Sequence, residues 1–477
     1  MPVAVGVAAP IRRLPAATPA GPVGGLSLVA LPSRRLLVLI LAAGAALRLT
    51  LAFLTPPLYA PDEAGHLLYV HGIAMHWSFP VQSLDGRWAN FNGANEFYQP
   101  PLYYLLAALP YRLLHAFGLW PLFAVRLWNV GLGLAMVWVV YQIGRQVFAE
   151  RPAIPLTATA LTALIPTVAA DSATVNNDPL VVLLVGLASF SLLRSLTASE
   201  VTRRTVLEVA LFTAAALYTK TSAIVILPAI VAWAALRHRR RLPALSPAVL
   251  MIALPIAAVL PWWLGRNLPA YHDLLGVQIG WEQFATPPLT VVRQTAIYLG
   301  WTFWTAFGRT YDIQPLLLGM VLCLFGMLAV IRLAAGVAID FASGRRERPR
   351  SGMPALTGLQ LEAASILGVE FLVALAGSIG YSVQFGFTEG RYLYPALPAI
   401  TLAIAAGLAG LRARPTSLRV PIAVAWTMAV LAFTLFAVTV LPAYRQVVAD
   451  ASLGGPMLPR HTGDYQTWVS QRTAPIR

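Results

Sequence analysis

Long apolar stretches separated by short polar segments run through most of the chain. A helix of about 20 predominantly apolar residues is needed to cross the hydrocarbon core of a bilayer. Eleven stretches reach or approach this length: 36–54, 126–147, 153–170, 179–196, 206–219, 221–236, 248–265, 315–335, 361–383, 392–411 and 419–441. Two further apolar stretches, 100–117 and 290–307, are ambiguous. The pattern predicts an all-α polytopic membrane protein.

Arginine clusters indicate how these spans are oriented, because Lys and Arg favour the cytoplasmic side of a membrane. The clusters lie at 34–35, 145–151, 194–204, 237–241, 345–350 and 412–419. All of them fall on one side only if 100–117 and 290–307 do not cross the bilayer. We therefore expect both stretches to be juxtamembrane helices at the outer face, with the N-terminus in the cytoplasm and the C-terminus outside.

The composition of the chain agrees with a membrane protein. Hydrophobic residues make up 58% and charged residues 11%, whereas soluble proteins carry about 25% charged residues. The net charge of +15 is spread between apolar stretches, which is typical of topology signals and not of a nucleic-acid interface.

The apolar pattern also divides the chain into three parts. Residues 1–33 are predicted as a disordered cytoplasmic tail, 34–441 as the transmembrane domain with a large external loop at 55–125, and 442–477 as a short external tail. The single cysteine, Cys323, excludes a disulfide within the chain.

The first external segment carries adjacent acidic residues, Asp62 and Glu63, immediately after Pro61. Carboxylates close to a bilayer are costly and often functional, so both are candidate catalytic residues. Asp62 has a second interpretation as an N-cap of the helix that follows. His66 lies four residues after Asp62 and shares its helix face, which permits a metal pair, a plain hydrogen bond or a solvated interfacial histidine.

Polar residues at two further junctions are candidates for substrate binding. Glu96 and Gln99 precede the Pro100-Pro101 pair that begins the segment 100–117, among tyrosines that an interfacial anchor would explain equally well. Asn177 and Asp178 follow the stretch 153–170, where carboxylate and amide oxygens suit a hard cation or a sugar. The alternative for this junction is an ordinary polar turn with Asp178 capping the next helix.

Two later segments add positive charge. Lys220 is the chain's only lysine and lies in a tight hairpin between two spans, where an ammonium can approach a phosphate as a point charge. Glu389, Arg391 and Tyr392 precede a late span, and a guanidinium can hold phosphate oxygens bidentately. The alternative for Arg391 and Tyr392 is an interfacial anchor.

In their order along the chain, these motifs resemble those of the GT-C membrane glycosyltransferases, especially the protein O-mannosyltransferases and lipid A aminoarabinose transferases. The matching motifs are Pro61-Asp62-Glu63, Tyr98-Gln99-Pro100-Pro101-Leu102-Tyr103, Asn177-Asp178-Pro179, Thr219-Lys220 and Gly390-Arg391-Tyr392-Leu393. The resemblance extends over about residues 35–440. It implies a GT-C-like bundle of about 11 transmembrane helices with additional juxtamembrane helices at the outer face.

The resemblance also implies a reaction at the outer face of a plasma (inner) membrane. The donor would be a polyprenyl-phosphate sugar, and the acceptor an envelope glycan, lipid or protein. Asp62 resembles the family's proposed catalytic base, Asp178 its second external acidic position, and Lys220 and Arg391 its donor-phosphate contacts. The family divides over metal use, so a divalent cation stays open, with Asp62, His66 and Asp178 as candidate ligands.

A secondary transporter or lipid flippase is the main alternative. Transporters place polar residues near the middle of the membrane, often in internal repeats. Here the interiors of the spans are nearly free of ionisable residues, the polar residues lie at one face, and no repeat is evident. This one-sided distribution favours an enzyme over a conduit. A non-catalytic scaffold would not require acidic and basic residues on the same side.

Overall fold

A computed structural model describes residues 31–81, 96–276, 288–308, 313–342, 357–385, 388–409 and 417–452. These residues form helices, and the only β pairing among them is an isolated antiparallel bridge between Phe307 and Ile313. The all-α prediction is confirmed. Most of the predicted tails, 1–33 and 442–477, and residues 82–95 of the first external loop lie outside the described residues.

The first eight helices come from the N-terminal half of the chain. They are α1 Leu31–Leu54, α2 Glu63–His76, α3 Leu102–Ala116, α4 Pro121–Val147, α5 Ala153–Leu164, α6 Pro166–Asp171, α7 Asp178–Ser195 and α8 Arg203–Leu217.

Nine helices follow, with short 3₁₀ segments at Thr221–Val225 and Gly390–Ala396. They are α9 Ile226–Arg239, α10 Leu245–Trp262, α11 Leu268–Tyr271, α12 Pro288–Thr302, α13 Leu316–Ala342, α14 Gly358–Phe385, α15 Leu397–Ala409, α16 Arg419–Leu435 and α17 Leu441–Ser452.

In the described part of the chain, nine helical stretches are long and apolar enough to cross a membrane. They are Ser33–Leu54, Pro121–Val147, Asp178–Ser195, Thr221–Arg239, Leu245–Tyr271, Leu316–Ala338, Gly358–Gln384, Gly390–Ala409 and Arg419–Ala449. Each matches a predicted span, so the protein is a multi-span membrane protein. The other two predicted spans form shorter helices, and the count of eleven stays a prediction.

The predicted span 153–170 is divided between α5 and α6 at the Ile165-Pro166 bond. Proline disfavours helical backbone in the residue before it, and Ile165 accordingly leaves the helical region with φ −59° and ψ 119°. Arg48 of α1 binds at this break: its Nη1 donates to the Ala163 carbonyl at 2.6 Å and its Nε to Ser172 Oγ at 2.8 Å. All twelve residues of α5 are buried, which makes it a central helix of the bundle.

Two contacts position the segments that carry the candidate residues. The backbone N–H of Leu102, at the start of α3, donates to the Tyr218 carbonyl in the α8–α9 hairpin at 2.9 Å. The backbone N–H of Gly390 donates to Thr302 Oγ1 at the end of α12 at 2.7 Å. A Cβ at Gly390 would lie 2.2 Å from the Phe303 nitrogen. The absence of a side chain therefore permits this close approach, which fixes the start of the segment containing Arg391.

Candidate active site

Asp62 occupies a turn that directs its carboxylate away from its own helix. Its backbone has a φ of 57°, in the left-handed region, and its side chain makes no capping bond to α2. The carboxylate instead accepts a hydrogen bond from Arg391 Nη2, across 329 positions of sequence. The N-cap interpretation of the Asp62 side chain is therefore wrong, since its partner belongs to a distant segment.

Arg391 is the centre of a group of opposite charges. Besides Asp62, its guanidinium contacts the Glu389 carboxylate through Nε, and its Nη1 lies 4.0 Å from Asp178 Oδ2. The Arg391 side chain is 7% exposed, whereas Asp62 is 28% exposed. Arg391 is thus held inside the protein, while the carboxylate it binds faces accessible space.

Asp178 and Lys220 complete this group. Lys220 Nζ donates to Asp178 Oδ1 at 2.6 Å, and the other carboxylate oxygen, Oδ2, is buried with no hydrogen-bond partner among the described residues. The backbone N–H of Asp178 donates to Asn176 Oδ1 at 2.9 Å. We call Asp62, Asp178, Lys220, Glu389 and Arg391 the charged group. Its members come from four separate segments of the chain.

The charged group holds Asp62 in its ionised form. Burial, the largest single cause, acts to raise the pKa of this carboxyl, but the positive charge of Arg391 and the hydrogen bond it donates, together with the charge of Lys220, act against burial and prevail. The pKa of Asp62 is consequently below its ordinary value. At neutral pH the residue is a carboxylate with one strong cationic partner, which is a prerequisite for accepting a proton.

Glu96, Gln99 and His66 lie beside Asp62 in a more apolar environment. Burial, followed by repulsion from Asp62, raises the pKa of Glu96 to about 7, and Gln99 Nε2 donates to Glu96 Oε2 at 2.9 Å. Burial lowers the pKa of His66 to about 3, and its Nδ1 is 2.8 Å from the Tyr104 hydroxyl. Glu96 therefore titrates close to neutral pH, and His66 is a neutral imidazole there.

Asp62, His66 and Glu96 could together hold a metal ion. One potential ligand atom from each lies within 4.8 Å of the other two, and carboxylate and imidazole groups suit several divalent metals. Arg391 already contacts Asp62 and opposes a second positive charge there. Of the candidate ligands from the sequence, Asp62 and His66 belong to this trio and Asp178 does not, because its carboxylate is bound by Lys220.

Glu63 lies in a different environment from its neighbour Asp62. It is completely buried and forms a bidentate pair with Arg126 of α4, with distances of 2.8 Å and 2.7 Å. Its Oε1 also accepts the backbone N–H of Val175 at 3.0 Å. Arg126 in turn donates to the carbonyls of Ala52, Thr55 and Pro56. This pair ties together the end of α1, the start of α2 and the loop before α7.

Arg126, Asn129 and Arg48 were not among the candidates from the sequence. Asn129 Nδ2 donates to the carbonyls of Thr174 and Asn176 at 2.6 Å and 2.9 Å, and so fixes the loop that leads to Asp178. All three side chains are buried inside helices. Glu370 of α14 is buried as well, so the expectation that the spans are nearly free of ionisable groups is incomplete. Arg126 and Asn129 are spaced i, i+3 near the start of the apolar helix α4, and this spacing was the available sequence signal.

Known proteins were compared with this chain. Residues 98–264 match the dolichyl-phosphate-mannose-protein mannosyltransferase family. The apo structure of ArnT from Cupriavidus metallidurans has 14% identity and a TM-score of 0.50, over 79% of this chain and 60% of that one. The chain has the GT-C glycosyltransferase fold. No curated protein matches it in sequence.

Two further solved structures have lower TM-scores. ArnT from Cupriavidus metallidurans bound to undecaprenyl phosphate has 15% identity and a TM-score of 0.49, over 92% of this chain and 69% of that one. AglB from Archaeoglobus fulgidus, in complex with an inhibitory peptide and a dolichol-phosphate, has 12% identity and a TM-score of 0.44, over 89% and 56%. The chain therefore spans between about half and two thirds of the length of these GT-C proteins.

The remaining candidate residues surround the charged group of this GT-C fold. Asn177 Nδ2 donates to the Thr219 carbonyl at 3.3 Å, which joins the Asp178 junction to the Lys220 hairpin. The Tyr392 ring packs against Tyr381 of α14, with ring centroids 4.8 Å apart. The structure thus brings together candidates from all five polar segments, and Glu63 alone lies in a separate, paired environment.

Proposed function

We propose that this protein is a glycosyltransferase that moves a sugar from a polyprenyl-phosphate donor to an acceptor hydroxyl at the extracytoplasmic face. The observation that carries the proposal is the convergence of Asp62, Asp178, Lys220 and Arg391. The family matched by residues 98–264 is described as using dolichyl-phosphate mannose, which supports a lipid-linked donor.

The two cations of the charged group suit a phosphate. Lys220 presents a compact ammonium and Arg391 a planar guanidinium, and both are held by carboxylates before substrate binds. Charge-assisted hydrogen bonds from such donors to phosphate oxygens are short and strong. In the proposed reaction they stabilise the negative charge that grows on the departing polyprenyl phosphate.

Binding of the donor phosphate would also activate Asp62. In the structure Arg391 contacts Asp62 and keeps its pKa low, which makes this carboxylate a weak base. A phosphate that competes for Arg391 removes part of this stabilisation and raises the pKa of Asp62. The base therefore becomes effective when the donor is in place, and Glu389 remains to hold Arg391.

The bond changes form a single displacement. The acceptor oxygen attacks the anomeric carbon while Asp62 takes its proton as general base. The bond between the anomeric carbon and the phosphate oxygen breaks, and polyprenyl phosphate leaves with the electron pair. The anomeric configuration inverts. The phosphate leaving group removes any need for a cytosolic energy source at this face.

The location follows from the arginine distribution. The cytoplasmic side carries the clusters near 34–35, 145–151 and 237–241, so the opposite ends of the spans, where the charged group lies, face outwards. We propose a plasma (inner) membrane location with a cytoplasmic N-terminus. The acceptor is an envelope glycan, lipid or protein.

A donor panel tests the proposal. Purified protein in lipid would receive polyprenyl-phosphate sugars one at a time with crude envelope acceptor, and released polyprenyl phosphate would be measured. We expect release with at least one donor, lost in Asp62→Asn and kept in Asp273→Asn. Asp273 is a matched control because, within the described residues, its carboxylate accepts backbone N–H groups from Leu275 and Gly276 and nothing else, and the side-chain oxygen of asparagine can accept both. No release with any donor from folded protein would favour a transporter instead.

A further inference from the structure

Three of the chain's seven histidines lie on α2 and α3, the two helices of the first external segment. His71 and His76 belong to the second half of α2, and His115 to the last turn of α3. The charged group and the proposed reaction use none of them. His76 is exposed, and His71 and His115 are partly exposed, so dissolved ions can reach these imidazoles.

The C-terminal ends of α2 and α3 lie side by side. Near the start of both helices, His66 Nδ1 is 2.8 Å from the Tyr104 hydroxyl. Further along both helices, His71 Nδ1 is 2.7 Å from the Tyr111 hydroxyl. The two helices therefore run in the same direction. Their last turns, which follow the second contact by little more than one turn, are brought to the same end of the pair.

The three imidazoles form a continuous group around Tyr111. The centroids of the His71 and His76 rings are 5.8 Å apart, and the centroid of the Tyr111 ring lies 5.7 Å from that of His71 and 6.2 Å from that of His115. A metal–imidazole bond of about 2.0–2.1 Å puts the ring centroid about 3.2 Å from the ion, so two rings on one ion have centroids up to about 6.4 Å apart. The separation of His71 and His76 falls within this limit.

The contact with Tyr111 prepares His71 as a metal ligand. Burial, followed by the charges of His76 and His115, lowers the pKa of His71 to about 4, so at neutral pH the imidazole has the uncharged form that binds metals. Metal-binding histidines commonly donate their other ring N–H to a neighbouring group, which fixes the ring. With Nδ1 held at the Tyr111 hydroxyl, Nε2 of His71 is the nitrogen directed to an ion. The His76 and His115 side chains have no hydrogen-bond partner in the part of the chain that the structure describes.

The position also favours a cation. The last carbonyl groups of a helix carry partial negative charge, and both α2 and α3 end here, at His76 and Ala116. A neighbouring cation, Arg112, is exposed, and its guanidinium lies over the Trp77 ring, 4.9 Å from the ring centroid. Solvent therefore screens its repulsion of a bound ion.

We propose that His71, His76 and His115 bind a divalent transition-metal ion, which His115 reaches by rotation of its side chain. Imidazole suits Zn²⁺, Cu²⁺ and Ni²⁺, and water completes the coordination. The site is separate from the candidate metal site at Asp62, because Asp62 precedes α2 whereas His76 ends it, and the 14 residues of α2 extend over about 21 Å. The ion holds the ends of α2 and α3 together and takes no part in sugar transfer.

Calorimetric titration with ZnCl₂ tests the proposal on protein that is purified without a histidine tag and stripped with EDTA. All measurements use a Glu96→Gln background, because this change removes a carboxylate from the other candidate metal site. We expect saturable binding, with an affinity that falls about tenfold or more in His71→Asn and in His76→Asn. Asparagine at position 71 keeps a group that can hydrogen-bond to the Tyr111 hydroxyl.

The matched control for the titration is His272→Asn. His272 is an exposed histidine outside the group, and its φ of 55° lies in the left-handed region, which asparagine tolerates. This variant should bind Zn²⁺ with the affinity of the background. No saturable binding in the background, or equal affinity in the background, His71→Asn and His76→Asn, would overturn the proposal.

Thermal unfolding and EPR identify the ligands. Because an ion that binds only the folded state stabilises it, ZnCl₂ should raise the Tm of the background and of His272→Asn, and not that of His76→Asn or His115→Asn. Pulsed EPR with Cu²⁺ should show coupling to imidazole nitrogens that weakens in His76→Asn. A Tm shift that persists in both ligand variants, or a Cu²⁺ spectrum without imidazole coupling, would contradict the site. None of these measurements uses donor turnover, so they stand apart from the proposed function.

Discussion

Asp62 and Glu63 are adjacent acidic residues in very different environments. The Glu63 side chain is completely buried, and Arg126 and a backbone N–H bind both of its oxygens. The Asp62 side chain is 28% exposed, and its recorded partner is Arg391, which Glu389 also binds and which lies near Asp178. The Glu63 carboxylate has partners at both oxygens, whereas the Asp62 carboxylate shares Arg391 with Glu389 and the nearby Asp178.

This difference separates a structural pair from a site that can react. In the buried pair every N–H of the Arg126 guanidinium and both oxygens of Glu63 are hydrogen-bonded, so the pair holds backbone segments in place and has no free donor for a substrate. A shared cation can exchange one anionic partner for another when a phosphate arrives. The Glu63–Arg126 pair therefore positions the Asp62 turn, and we propose that Asp62 alone takes the proton.

Removing the shared cation, Arg391, should lower the reaction rate strongly. Arg391→Met deprives the leaving phosphate of a preorganised donor, and loss of one such donor lowers rates by about 10²–10³. We expect a fall of that size in kcat/KM for the donor. The value for Arg391→Lys should lie between those of wild type and Arg391→Met. Arg240→Met, which removes an outlying partly exposed pair with Glu362, is the control and should leave the rate unchanged. Full activity in Arg391→Met would show that the leaving phosphate does not need Arg391.

Disrupting the buried pair should act on stability. Arg126→Met leaves Glu63 buried without its cationic partner and removes the five hydrogen bonds that Arg126 donates. Loss of one partner of a buried ion pair costs about 3–5 kcal/mol. Thermal unfolding in detergent should show a clearly lower Tm, whereas Arg240→Met, which removes a partly exposed pair, should unfold close to wild type. The same Tm for Arg126→Met and wild type would show that the pair is not structural.

A smaller, pH-dependent effect is expected at Glu96. Its pKa rises from 4.5 to about 7 in the folded protein, so the fold binds this proton more tightly than the unfolded chain does. The resulting stabilisation is fully present below about pH 4.5 and is lost as pH rises through about 7.

Glu96→Gln cannot titrate and gives the matched comparison. The Tm of Glu96→Gln relative to wild type should increase from pH 4.5 to 7 and stay constant above pH 7. A difference that is independent of pH would show that folding does not raise the pKa of Glu96.

Chelation should have the smallest effect. Arg391 and Lys220 already supply positive charge beside Asp62, so we expect donor turnover to change less than about twofold in EDTA. A larger loss, restored by Mn²⁺ or Zn²⁺ and absent in Glu96→Gln, would place a cation on Asp62, His66 and Glu96.

Much of the fold could be predicted because the spans differ sharply from the polar segments between them. The nine long apolar helices, and the junctions with Asp62, Asp178, Lys220 and Arg391, follow from that contrast. The predicted span 206–219 is α8, a helix of 15 residues, since hydropathy does not show where a helix ends. The sequence also could not distinguish a span crossing lipid from a central helix such as α5, which neighbouring helices enclose.

The partners of the site residues were harder to predict. Local sequence shows that Asp62 and Glu63 are acidic, but their partners lie 329 and 63 positions away. In the sequence, Arg126 and Arg48 are isolated charges within apolar stretches. In the structure, both donate hydrogen bonds to backbone carbonyls of other segments. Long-range pairing of this kind depends on the packing of whole helices, which the sequence pattern near each residue does not encode.

The central claim is that Asp62 is the base of a lipid-linked sugar transfer. The most direct measurement is the single-turnover rate of polyprenyl phosphate release at saturating donor and acceptor, for wild type and Asp62→Asn with equal Tm. General-base catalysis contributes about 10²–10⁴, so the account predicts a fall in that range. A rate within about threefold of wild type would contradict it.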